Sequence, residues 1–193
     1  MYWYILYRFP KQLVYQVVSD INAYPVFVPG CLQARILCPT SIARLQKDQP
    51  SLKMEEEKNS HCNGTIGNNL LNHSLLAEMA VGFQGVHESY ISKVILDPQH
   101  QTFVKASALN SPLFEHLITQ WKFEEFIHYP SPMETLFHFG STSEHHSHCK
   151  VEFMVDFQFR SSWYNSLSSL FIRQVATGMV DAFEQRCTIL SQK

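Results

Sequence analysis

WYNSLSSLFIRQVATGMVDAFEQRCTIL, residues Trp163–Leu190, carries apolar side chains at Trp163, Leu167, Leu170, Phe171, Val175, Met179, Phe183 and Leu190, with Cys187 between the last two. Steps of three and four set these on one side of a 3.6-residue helix. Ser166, Ser168, Arg173, Gln174, Thr177, Asp181, Gln185 and Arg186 take the other sides. No proline interrupts the run, and at about 1.5 Å per residue it spans about 40 Å, well beyond the usual three turns. A stripe of that length needs a large apolar partner, because packing rather than propensity stabilises most helices. The chain ahead of it reads mainly as strands. The expectation is a long C-terminal helix gripped by a curved sheet.

Just upstream, Val151, Phe153, Val155, Phe157 and Phe159 alternate with Glu152, Asp156 and Gln158, the pattern of a half-buried strand. Further upstream, strands are predicted over 118–127 (Trp121 and Phe123 against Lys122 and Glu124), 102–109, 86–96 and 75–84. Within the last of these Ala77, Met79, Val81 and Phe83 share a face opposite Glu78. Gly85, Asp97-Pro98 and Asn110-Ser111-Pro112 supply the turns between them. The stretch 128–148 is polar and turn-rich.

The aromatic run YWYILYRF at Tyr2–Phe9 reads as a first strand. Pro10 then suits a first helical turn, and Leu13, Val14, Val17, Val18 and Ile21 follow at helical spacing. Tyr24-Pro25 breaks that helix. Val26–Cys31 reads as a helical turn and a bend, and Leu32–Leu45 as another strand with Pro39 at a bulge or edge. From about 46 to 73 the composition turns polar and aperiodic, so a largely disordered surface insertion is expected there. Its Asn63-Gly64-Thr65 and Asn72-His73-Ser74 match the glycosylation triplet, which is common by chance. A run of strands with segregated helices argues an α+β fold.

At 193 residues the chain fits one domain with a sizeable core. Hydrophobic residues make up 45% and charged residues only 17%, which excludes a disordered chain. The fourteen phenylalanines suit a large apolar interior or a cavity. A net charge of −2 without a lysine/arginine cluster gives nucleic acid no electrostatic grip. No apolar run reaches membrane-spanning length. No leader is recognisable, so either the protein is cytosolic or the sequence begins after any targeting segment. Cys31, Cys38, Cys62, Cys149 and Cys187 are odd in number and show no CxxC spacing, which favours reduced, mostly buried thiols.

Few residues suggest chemistry. In His145-His146-Ser147-His148-Cys149, neighbouring strand residues face opposite ways. At most a pair such as His146 and His148 could share a metal ion, and a polar hairpin tip is the favoured reading. Glu55-Glu56-Glu57 reads as a solvated run, and Glu124-Glu125 and Glu115-His116 as outward charges rather than acid/base pairs. Cys31 has no patterned base, and no metal site, cofactor or catalytic residue is expected.

Val18-Ser19-Asp20-Ile21-Asn22-Ala23-Tyr24-Pro25-Val26-Phe27-Val28-Pro29-Gly30-Cys31 and Ala80–Tyr90 (AVGFQGVHESY) resemble signatures of the coenzyme Q-binding START-domain family. Leu113–Leu117, Trp121–Phe123, Cys149–Phe159 and Met179–Arg186 continue the resemblance in order, over nearly the whole chain except the insertion. The resemblance implies the helix-grip (START-like) fold, a curved antiparallel sheet of six to seven strands around a long C-terminal helix, with a hydrophobic tunnel between. It also implies a non-catalytic carrier for coenzyme Q or a related polyprenylated quinone, supporting respiration and quinone synthesis. Its expected setting is peripheral contact with the matrix side of the mitochondrial inner membrane, near quinone-synthesis or respiratory complexes. Gly30 stands where many members carry an aromatic residue. Combined with alternation and helical phase, the fold's inward faces put Val28, Met79, Val81, Phe83, Phe123, Phe153, Val155, Phe157, Phe171, Val175 and Met179 on the tunnel lining. The rival expectations are a ribosome-interacting module of the same fold and an aromatic polyketide cyclase-like enzyme, which would need ionisable groups in the tunnel.

Overall fold

The computed structural model describes residues 1–38, 73–83, 85–127, 147–161 and 177–192. In chain order these form β1 (Tyr2–Tyr7), α1 (Lys11–Ser19), a 3-10 turn (Ile21–Ala23) and α2 (Tyr24–Phe27). Then come β2 (Cys31–Ile36), β3 (His73–Phe83), β4 (Val86–Leu96), β5 (Phe103–Leu109), β6 (Phe114–Ile127) and β7 (Ser147–Phe159). A helix over Thr177–Ser191, here α3, completes the order. The strands form one antiparallel sheet in the order β1-β7-β6-β5-β4-β3-β2. β2 to β7 thus run as a meander, while α1 and α2 carry the chain from β1 at one edge to β2 at the other. This is the expected α+β arrangement of strands and C-terminal helix.

Element boundaries moved where tertiary pairing overrode local composition. β6 starts at Phe114 rather than 118, because the β7 ladder continues through a bulge between Phe114 and His116. β7 starts at Ser147, inside the stretch read as a polar hairpin tip. There Ser147, His148 and Cys149 pair with Ile127, Phe126 and Glu125, and Cys149 is completely buried. The expected insertion, apart from His73 at the head of β3, lies outside the described residues, as do 162–176, the first part of the expected long helix.

One face of the sheet carries the core. Inward positions include Tyr7 on β1, Ala77 on β3, Val94 on β4, Val104 on β5, Trp121 and Phe123 on β6, and Val151 and Phe153 on β7. α1 lays Val14, Tyr15, Val17 and Val18 against this face, over β5, β6 and β7, and α3 packs on α1 and α2. Phe183 of α3 is fully buried. Its ring meets Tyr24 at 5.4 Å, Phe27 at 5.1 Å and Trp121 at 4.8 Å, joining both short helices and the sheet. The Tyr7 hydroxyl donates to the Val180 carbonyl at 2.9 Å, tying edge strand to final helix.

The turns follow their residues. Asp97 is nearly buried after β4, and its carboxylate accepts from the His100 amide and from the amide and hydroxyl of Thr102. Asn110 takes a left-handed φ of 50° before Ser111, whose hydroxyl accepts the amides of Leu113 and Phe114.

Candidate ligand-binding cavity

Alternation along the strands decides which side chains face inward; their sizes decide where space remains. One row across the sheet reads Leu75, Val94, Ala106, Thr119, Val155, and the next includes Ala77, Ser92 and Ala108. These are mostly small side chains. To one side stand Trp121 and Phe153, stacked at 4.1 Å. To the other lies a separate cluster of Leu113, Phe114 and Phe159, backed by Leu117 and Phe157. Between the two clusters a cavity of about 170 Å³ opens on the concave face.

Its wall comes from β1, the 3-10 turn, the α2–β2 loop, all of β3 to β7, and α3. From the loop come Val28, Pro29 and Gly30, from the head of β2 Cys31, and from α3 Met179. Gly30 has φ +75°, and its carbonyl accepts the Gly82 amide at 2.8 Å. That bond clamps the loop to β3 at the cavity's edge. A Cβ on Gly30 would sit 2.9 Å from the Gly82 oxygen, so the close approach requires glycine.

Of the residues expected on the lining, Val28, Met79, Val81, Val155, Phe157 and Met179 stand on the wall. Phe123 and Phe153 do not. They share the inward face, but at the end that α1 covers: Phe123 meets Tyr15 edge-on at 5.6 Å, and Phe153 is sandwiched with Trp121 and Trp3. Both are packed core. Phe171 and Val175 lie outside the described residues, and of Phe83 only the backbone, opposite Val86, is described.

The sequence reading missed much of the floor: Tyr90, Ser92 and Val94 on β4, Val104, Ala106 and Ala108 on β5, and Leu117, Thr119 and Trp121 on β6. Ile91 and Ile95 alternate with the inward residues of β4, so both of its faces look apolar and no phase stands out. On β5 the inward residues are largely alanines, which carry little hydrophobic signal.

Among the described residues the wall bears no Asp, Glu, Lys, Arg or His side chain. Its polar side-chain atoms include hydroxyls and one thiol, and the Met1 amino group on the wall donates to the Val155 carbonyl at 2.8 Å. The Tyr24 hydroxyl donates to the Val18 carbonyl, and the Ser92 hydroxyl reaches the Ser107 carbonyl at 3.5 Å. Burial pushes the Cys31 thiol up to about 11. A thiol so placed stays protonated near neutrality and is a poor nucleophile. The charges considered for acid/base work stand in water instead: Glu124 pairs with Lys150 at 3.2 Å and His116 with Asp156 at 3.3 Å. Glu115 and Glu125 are exposed. Such a site can solvate an apolar molecule and offer it a few neutral hydrogen bonds.

Residues 8–184 match the family described as polyketide cyclase / dehydrase and lipid transport, and the chain belongs to that family. It is 28% identical over 179 residues to the coenzyme Q-binding protein COQ10 homolog B, mitochondrial, of Xenopus laevis, covering 92% of this chain. The alignment spans about half of that relative's length, 53%. Coenzyme Q-binding names recur among further eukaryotic relatives. The chain is also 23% identical over 181 residues to the ribosome association toxin RatA of Escherichia coli, covering 94% of this chain and 82% of RatA. In fold it is similar to the crystal structure of the Zhui aromatase/cyclase from Streptomyces sp. R1128, with a TM-score of 0.62 at 13% identity, over 97% of this chain and 92% of that one.

Proposed function

We propose that this protein is a non-catalytic carrier for coenzyme Q or a related polyprenylated quinone. The observation that carries the reading is an apolar cavity with no charged side chain among the described residues, in a chain whose relatives include proteins named as coenzyme Q-binding. Val28, Met79, Val81, Val155, Phe157 and Met179 are its proposed contacts with the ligand. A cyclase would need a proton donor or acceptor placed at its substrate, and the described wall carries no Asp, Glu, Lys, Arg or His side chain to serve as one, while the Met1 amino group donates to the Val155 carbonyl. The net charge of −2 gives the ribosome reading little electrostatic support.

Energetics favour transfer over storage. Each buried CH₂ of a prenyl tail gains about 0.8 kcal/mol against water, but the competing bilayer is equally apolar, so net extraction energy is small. Val26 and Leu32 are 77% and 56% exposed beside the cavity-lining Val28–Gly30 loop, which suits peripheral contact with a membrane there. No helix among the described residues is long and apolar enough to cross one. The relatives' names include "mitochondrial"; we extend that location to this chain and place it on the matrix side of the inner membrane, near quinone-synthesis or respiratory complexes.

The test is to purify the protein without detergent, extract it with organic solvent and identify the lipid by mass spectrometry. A near-stoichiometric quinone, lost in folded Val81→Glu or Met179→Glu variants, supports the carrier. Failure to retain or rebind added coenzyme Q sinks it.

A further inference from the structure

Tyr7 and Tyr15 are buried, Tyr24 and Tyr90 half-buried, and their hydroxyls fare differently. Tyr7 and Tyr24 spend their hydroxyls on the carbonyls of Val180 and Val18, and serve the fold. Tyr15 leaves its hydroxyl unpaired, but in the packed core under α1, away from the cavity wall. Tyr90 differs from all three. It stands on the wall, opposite Met79 and two residues from Ser92, and its hydroxyl has no hydrogen-bond partner among the described residues. Half-buried on an apolar wall, this hydroxyl is a donor open to whatever enters the cavity. Burial, with the Cys31 thiol nearby, pushes its ionisation far above the usual phenol range, so it remains a neutral donor.

The surroundings suit one ring. Phe114 meets Tyr90 edge-on at 6.4 Å and stacks on Phe159 at 5.1 Å. The cavity's volume of about 170 Å³ is close to the ~150 Å³ of an apolar cavity that accepts benzene. A second wall hydroxyl without a partner among the described residues, Thr119, pairs with Ala106 and Val155, away from this aromatic cluster.

Resting on the quinone reading above, we infer that Tyr90 is the head-group anchor: its hydroxyl donates to a carbonyl oxygen of the quinone ring, which lies against Phe114 and Phe159 while the tail leads away. Tyr90 then sets specificity for an oxygenated ring over a bare prenyl hydrocarbon.

The test titrates a short-tailed coenzyme Q with two isoprenoid units, following quenching of tryptophan fluorescence, since Trp3 and Trp121 line the cavity. Squalene, which has the tail's chemistry without carbonyls, is measured by competition. Tyr90→Phe weakens the quinone about three- to tenfold, the worth of one hydrogen bond, and leaves squalene unchanged; Thr119→Val changes neither. Equal losses for both ligands, no loss, or a loss in Thr119→Val instead would overturn the anchor while leaving the carrier standing. A wild-type protein that binds neither ligand overturns both. Infrared spectra of quinone bound to the wild type give a check free of any variant. One carbonyl stretch shifted to lower frequency supports the donor, and two unshifted carbonyls refute it.

Discussion

Gly30 shows how a single residue shapes the site. Its φ of +75° and the 2.9 Å approach of a Cβ to the Gly82 oxygen oppose any side chain. Gly30→Ala is expected to cost about 1–3 kcal/mol, since strain in the left-handed region adds to the clash; a urea melt measures it, and an unchanged midpoint refutes the clamp. Asp97 is the second informative residue. Burial alone would raise its pKa, but hydrogen bonds from Thr102 and His100, with the His100 charge, outweigh burial and hold it below the usual carboxylate value. A depressed folded pKa stabilises above the unfolded pKa of about 3.9 and ceases to as pH falls through the folded value. Stability should therefore decline below about pH 4 more steeply in the wild type than in Asp97→Asn, as thermal melts from pH 6 to pH 3 would show.

At the scale of elements, α3 is held by one ring more than by its length. Phe183 contacts Tyr24, Phe27 and Trp121, so removing it opens a hole where the helix, α2 and the sheet meet. Phe183→Ala is expected to lower stability by about 3–5 kcal/mol. Phe183→Leu, which keeps most of the volume, should cost well under half of that; equal losses would mean the helix is anchored elsewhere. Arg186, read from the sequence as a polar-face residue, instead lies over the Phe27 ring at 5.6 Å. Periodicity separates faces but cannot see an aromatic that arrives from another element.

For the whole molecule, the cavity exists because bulky inward residues at both ends of the concave face are separated by the small ones of β5. Ala106 lies between Val94 and Thr119 on the floor. Ala106→Leu should fill free space rather than force overlap, leaving the melting temperature unchanged or slightly raised, whereas the same enlargement in a packed core costs about 1–3 kcal/mol. Quinone uptake should fall at least tenfold. A variant that melts earlier yet still binds would show that the space lies elsewhere.

The class of fold was legible in the sequence, and so were the inward faces of β3, β6, β7 and α3, though not those of β4 and β5. Alternation at Phe153–Phe159 and Ala77–Val81 names a side of a strand, and helical spacing at Met179–Phe183–Cys187 names a stripe. These are local properties of a two- or 3.6-residue repeat. Position along the concave face was left to the tertiary structure. Phe153 and Val155 are consecutive inward residues of one strand, yet the first is sealed between Trp121 and Trp3 while the second lines the cavity. What separates them is where α1 and α3 lie across the sheet. That placement follows from long-range packing, such as Tyr15 on Phe123 and Phe183 on Trp121, which no local period encodes.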